Sequence, residues 1–163
     1  MFSQNRRASR AQQIPTCGES PAVIGQLYRA CEAELTVIVS YLHHAILLEE
    51  ALPSVSALLS STAESEINHY KALCRLLRDL GMPFRLQTRI EGTLLPLDSD
   101  PQASATACLS HFAREETRAA RTYRETAENA RGDMTRRLLL AIVTEEEGHS
   151  AALSSMRECI LRS

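Results

Sequence analysis

Glu66 and His69 stand three residues apart in AESEINHYKALCRLL, residues 63–77, and Glu146 and His149 repeat the Glu-x-x-His spacing in AIVTEEEGHSAAL, residues 141–153. Side chains three and four apart share a helix face, so each pair offers an oxygen and a nitrogen donor side by side, a set that suits iron or manganese. Both pairs interrupt apolar stripes. The first reads Val55, Leu59, Thr62, Glu66, His69, Leu73, Leu76, Leu80, and the second Leu139, Ile142, Glu146, His149, Leu153, Met156, Ile160. Acid and imidazole therefore occupy positions where core side chains belong.

Two further stripes carry one acid each. Leu27, Cys31, Glu34, Ile38, Tyr41, Ala45 and Leu48 form one; Leu109, Phe112, Glu116, Ala120, Tyr123 and Ala127 form the other. In each, a tyrosine follows the glutamate by seven residues, two turns with little rotational drift. No arginine stands at matching height on the stripes, and burying an unpaired carboxylate costs several kcal/mol after relaxation. Two divalent cations would balance four carboxylates, so a dinuclear centre is the better account than a metal-free polar core. Structural zinc would be expected to recruit cysteines. Glu64, Glu115, Glu145 and Glu147 lie off the stripes and are expected on solvated faces, paired with arginines. His43, His44 and His111 fall beside the stripes as surface or boundary residues, and Cys31 and Cys74 read as small core hydrophobes despite their nearness to the ligand positions.

Four helices must position these groups. Ser20 and Pro21 give an N-cap followed by proline at the first helical position, opening a helix expected to run to about Leu52, where Pro53 stops it. Ser54 is expected to cap a second helix ending at Leu80 and Gly81. Residues 82–99 hold two prolines, a glycine and no stripe; they predict a long crossover. Asp100 and Pro101 repeat the cap-plus-proline signal for a third helix to Arg131, and Asp133 is expected to cap a fourth reaching nearly to Ser163. The two halves look like copies: 32 residues separate Glu34 from Glu66, and 30 separate Glu116 from Glu146. The fold class is all-α, two antiparallel hairpins joined by one crossover.

Residues 1–19, rich in Gln, Ser and Arg without periodicity, predict a disordered tail, leaving 20–163 as one bundle. A net charge of −2 argues against a nucleic-acid partner, although Lys71 is the single lysine among eighteen basic residues. No run of 18 uninterrupted apolar residues suggests a membrane partner. Cysteines at 17, 31, 74, 108 and 159 form no C-x-x-C pair, which points to a reducing, cytoplasmic setting and to thiols acting singly rather than as an electron relay.

ELTVIVSY, residues 34–41, resembles the first-helix signature of bacterioferritins and rubrerythrins, and EEEGHSAAL resembles the fourth helix of rubrerythrins. The chain over residues 22–160 thus resembles the ferritin-like di-iron carboxylate superfamily. That resemblance implies two Fe ions, with two Mn as the alternative. Glu34 and Glu116 would be terminal ligands, Glu66 and Glu146 bridges, and His69 and His149 would each cap one metal. Glu115 competes with Glu116 but lies about 100° off the stripe. Tyr41 and Tyr123 would hydrogen-bond metal-bound carboxylates. The implied chemistry is oxidation of Fe²⁺ by O₂ or H₂O₂, or peroxide reduction. Without a rubredoxin-like domain, turnover would require a separate electron-donor protein. Iron storage in a homo-oligomer, manganese catalase-like disproportionation and a metal-degenerate structural module are the rival readings.

Overall fold

The computed structural model describes residues 18–83 and 100–162, and within them the regular structure is four helices: α1 (Pro21–Leu48), α2 (Pro53–Asp79), α3 (Pro101–Asn129) and α4 (Asp133–Ile160). Of the expected tail, residues 1–19, the stretch 1–17 lies outside the described residues, as does most of the expected crossover.

Local chemistry sets the helix ends. Ser20 Oγ accepts from the Val23 amide at 3.2 Å, and Asp100 Oδ1 from the Gln102 amide at 2.9 Å, each ahead of a proline at the first helical position. Gly81 adopts φ 74° after α2. The Met82 amide then reaches Leu77 O and the Gly81 amide reaches Arg78 O, both at 2.9 Å, closing a Schellman motif.

Three boundaries differ from expectation. α1 ends at Leu48 rather than Leu52, because Pro53 drives the preceding Leu52 out of helical geometry to φ −139°, ψ 70°. Leu52 is consequently the N-cap of α2, without a side-chain bond, and Ser54 lies inside the helix. α3 ends at Asn129, two residues early, and Gly132 rather than Asp133 is the N-cap of α4. The cause is Glu19. Its buried carboxylate accepts from the Arg131 and Gly132 amides, each at 2.9 Å, drawing the connection out of helical geometry. Glu19, at the last position assigned to the tail, is thus part of the packed structure.

Tyr41 on α1 reaches Glu116 on α3, and Tyr123 on α3 reaches Glu34 on α1, so these two helices are antiparallel. Short turns make α1/α2 and α3/α4 antiparallel as well, which leaves α2 and α3 parallel. Pro83 accordingly meets Tyr28 near the start of α1, whereas Ala105 at the start of α3 packs with Leu48 and Val55 at the other end.

Two apolar clusters make the core. One holds Leu27, Cys31, Leu73, Ala120, Tyr123, Leu139 and Val143; the other holds Tyr41, Leu59, Ala63, Leu109, Phe112 and Leu153. On every helix the acid falls between them: Glu34 after Cys31, Glu66 after Ala63, Glu116 before Ala120 and Glu146 after Val143. The apolar ends hold a polar middle layer in place. By length and a mean hydropathy of 1.2 over 18 residues, α1 could cross a membrane, but here its stripe from Leu27 to Leu48 is buried in the bundle.

Candidate metal centre

Each of the four acids is at least 97% buried, and Glu66 is fully so. His69 Nδ1 lies 2.8 Å from Glu66 Oε2 and 3.4 Å from Glu146 Oε1; His149 Nδ1 lies 2.8 Å from Glu66 Oε1 and 3.4 Å from Glu146 Oε2. Ligand atoms of Glu34, Glu66, His69 and Glu146 fall within 4.8 Å of one another, and so do those of Glu66, Glu116, Glu146 and His149. The two groups share Glu66 and Glu146, and each adds one terminal acid and one histidine. The structure therefore brings together all six residues singled out by the stripes.

His149 Nδ1, Glu66 Oε1 and Glu146 Oε2 are buried without an aligned hydrogen bond, although the first two are only 2.8 Å apart. Buried polar atoms are normally satisfied. Oxygen and nitrogen donors converging on a common point in this way fit a pair of cations.

The two tyrosines cross-brace the layer. Tyr41 donates to Glu116 Oε1 and Tyr123 to Glu34 Oε1, each hydroxyl fixing the acid of the opposite helix. Burial, with the Glu66 and Glu146 charges, pushes the Glu34 carboxyl well above its usual range and Glu116 up to about 11. Burial also acts against Glu66 and Glu146, but the two imidazoles outweigh it, holding Glu66 low and Glu146 at about 2. Burial opposes charge on the imidazoles, yet the facing carboxylates lift His69 to about 11 and His149 to about 9. Proton affinity is thus raised on Glu34, Glu116, His69 and His149 and lowered on Glu66 and Glu146. The four groups with raised proton affinity can balance the layer's charge with protons, the role that two divalent ions would otherwise fill.

Several off-stripe expectations change. Glu145 is not simply a surface acid: its side chain is 55% exposed, yet Oε2 sits 3.0 Å from His69 Nε2, with Ser65 Oγ donating to the same oxygen. Its long side chain reaches over the α2–α4 seam. His44, expected at the surface or boundary, is buried, with Nδ1 2.8 Å from Ser40 O and its ring edge-on to Phe112. Glu115 and Glu147 do pair with Arg118 and Arg124, and Glu64 is exposed. Glu115 is therefore outside the polar layer, and Glu116 is inside it.

The thiols of Cys31 and Cys74 are not isolated. They are neighbours across the α1–α2 seam, and burial with the neighbouring thiol pushes Cys31 up to about 12. Cys74 also interacts with Tyr70. Two residues far apart in sequence share one height because α1 and α2 are antiparallel.

The layer is closed toward α2 and α4, where the histidines stand, and open toward α1 and α3. A cavity of about 610 Å³ runs between those helices to Glu34, Glu66, Glu116 and Glu146, with Arg29 and Arg118 among its lining residues.

A family model described as Ferritin-like domain matches residues 24–162. Among solved structures, a dodecameric thioferritin, the bacterioferritin-related protein of Bacteroides fragilis, aligns with a TM-score of 0.72 and 23% identity, covering 86% of this chain and 87% of that one. That likeness is one of fold. No curated protein matches the sequence.

Proposed function

The chain belongs to the ferritin-like domain family, and we propose that it binds two iron ions in the polar layer and oxidises Fe²⁺ with O₂ or H₂O₂. The observation that carries this reading is the pair of overlapping donor groups, Glu34 with His69 and Glu116 with His149, sharing Glu66 and Glu146. Glu34, Glu66, His69, Glu116, Glu146 and His149 would hold the ions, Glu66 and Glu146 being common to both donor groups and each histidine offering Nδ1.

Iron held in this way supplies one-electron redox chemistry toward oxygen or peroxide. The protein's own contributions are geometric and electrostatic. Tyr41 and Tyr123 orient the terminal acids from across the α1–α3 cleft, and Glu145 orients His69 from behind. The cavity between α1 and α3 admits small reactants on the side away from the histidines. Protons held on the two terminal acids and two imidazoles leave as cations enter.

Val39, Leu42, Ile46 and Leu47 form an exposed apolar face on α1, which supports assembly with further copies of the chain. The Bacteroides fragilis protein is itself a dodecamer. A homo-oligomer that accumulates iron is the second reading, and it uses the same centre.

Anaerobic titration of metal-free protein with Fe²⁺ tests the proposal. Two ions per chain are expected, followed by absorbance from ferric iron on admitting O₂ or H₂O₂; Glu66→Ala or Glu146→Ala should lose both ions. One ion per chain, or unchanged stoichiometry in these variants, overturns it. Tight Mn²⁺ binding without Fe²⁺ oxidation would transfer the site to the manganese alternative.

A further inference from the structure

On the outer surface between α3 and α4, away from the polar layer, lies a groove of about 310 Å³ lined by Ser110, Ala113, Arg114, Thr117, Ser150, Ser154 and Arg157. Four of the seven carry hydroxyls, two carry guanidinium groups and none carries a carboxylate. The pattern is helical on both sides: Ser110, Arg114 and Thr117 at i, i+4 and i+7 of α3, Ser150, Ser154 and Arg157 at the same spacing on α4. Thr117 Oγ1 and Ser150 Oγ, 3.0 Å apart, fix the antiparallel register. Arg114 and Arg157 then stand on opposite walls, about one turn apart in height, roughly 5–6 Å along the axis.

Two details show hydrogen-bonding capacity left over. Arg157 Nη1 is 3.2 Å from Glu158 Oε1, but Arg157 Nε is buried with no hydrogen-bond partner. A buried guanidinium N–H is normally bonded, and Arg157, which carries this one, lines the groove. Second, Ala113 O accepts both Thr117 Oγ1 and Ser150 Oγ at 2.9 Å, in addition to the helical amide of Thr117. A carbonyl has two lone pairs, so one of those hydroxyl protons can swing away at little loss. Glu158 beside Arg157 does not line the groove, so donors in excess and no carboxylate on its walls describe a receptor for an anion. Guanidinium forks match tetrahedral oxyanions, and hydroxyls complete their shell.

We propose that this groove binds a phosphate-class oxyanion, held by Arg114 and Arg157 with the hydroxyls of Ser110, Thr117, Ser150 and Ser154. Its volume is at the small end of ligand sites, which run roughly 300–1,000 Å³. It takes free phosphate or the phosphoryl group of a small monoester. Thr117 and Ser150 directly follow Glu116 and His149 in the chain, so the anion rests on the outer side of the helical turns that carry those two residues.

The test uses the metal-free full chain, so that no bound iron competes for phosphate and the outcome is independent of the iron reading. Inorganic phosphate and phenyl phosphate are titrated by calorimetry against a chloride background of equal ionic strength. Saturable binding at one per chain is expected, weakened at least tenfold in the Arg114→Gln/Arg157→Gln double variant and unchanged in Arg118→Gln, whose side chain lines the other cavity. Ser154→Asp, which places a carboxylate in the groove, should abolish binding while circular dichroism remains that of the native bundle. Phosphate binding alone assigns the free ion, and binding of phenyl phosphate as well assigns a phosphoryl group. Saturable binding of neither, or binding indifferent to both the double variant and Ser154→Asp, overturns the proposal.

Discussion

Glu145 Oε2 lies 3.0 Å from His69 Nε2, on the edge of the imidazole turned away from Glu66 and Glu146. The acid therefore holds the ring by its outer nitrogen while Nδ1 faces the polar layer at 2.8 Å from Glu66. No comparable acid bonds to His149, so the two otherwise similar halves differ at this point among the described residues. An outer carboxylate fixes ring orientation and raises ligand basicity, and its loss typically costs ~10–100-fold in metal affinity. Glu145→Ala should therefore weaken one of the two metal sites within that range and leave the other nearly untouched. Competition titration with a chelator reads the two affinities separately, and equal weakening of both would sink this assignment.

The acids of the polar layer were legible because periodicity alone places them. A carboxylate on a stripe of leucines has to be buried, and Glu34, Glu66, Glu116 and Glu146 are. Glu145 escaped that logic, since its Cα is about 100° off the stripe and only a long side chain returns it to the layer. His44 escaped too, because a stripe one residue wide understates a buried face that takes in His44 beside Tyr41 and Ala45. The Glu19 clamp on Arg131 and Gly132, and the meeting of Cys31 with Cys74, depend on register between distant segments, for which local sequence has no signal.

Histidine replacement should separate the two ions. His69 belongs to the donor group with Glu34, and His149 to the group with Glu116. His69→Ala is expected to leave one tight ion per chain, and His149→Ala likewise, with the lost ion different in each case. Binding isotherms of the single variants and of His69→Ala/Glu116→Ala check this: the combined change should remove both ions. Complete loss of metal from either single variant would indicate one shared mononuclear site.

The protonation pattern predicts opposite pH dependences with and without metal. Glu34 and Glu116 are raised from 4.5, and His69 and His149 from 6.5, so the folded metal-free chain binds more protons than the unfolded one as pH rises through those values. Its stability should fall from about pH 5 to pH 9, since the favourable imidazolium contribution is lost toward folded values of about 9 and 11 and the neutral acids become costlier to keep. Metal must displace those protons, so affinity rises with pH over the same interval. Thermal unfolding should show the midpoint of metal-free protein dropping while that of metal-bound protein rises. Parallel trends would contradict the assignment of four protons to the layer.

Glu19 makes a testable contribution at the α3–α4 turn. Its carboxylate serves two amides, and those N–H groups hold it below its ordinary 4.5 against the opposing effect of burial. Removing such a cap costs about 1 kcal/mol. Glu19→Ala should show that loss in urea unfolding at pH 7, and the difference from the native chain should shrink as pH falls below 4.5 through the depressed folded value, because a depressed carboxyl stabilises fully only above its unfolded value. Gly132→Ala should act similarly, since a Cβ there would stand 2.8 Å from Glu19 Oε1. A loss that persists unchanged in acid would mean the effect is packing rather than charge.

The supply of electrons sets the last prediction. Reducing one H₂O₂ to two waters consumes two electrons and two protons; a pair of Fe²⁺ ions supplies the electrons once, and solvent supplies the protons. Sequence spacing suggested that no thiols could renew them, but Cys31 and Cys74 meet beside Glu34. Their oxidation to a disulfide releases two electrons and two protons, and nothing more. Iron-dependent peroxide consumption, taken as the difference from metal-free protein, should therefore stop at no more than two equivalents per two irons in the native chain and at one in Cys31→Ser. Both proteins should then stall until a separate reductant is added. Continued turnover driven by NAD(P)H with this chain alone would overturn this prediction, and continued O₂ release without reductant would favour disproportionation at a manganese pair.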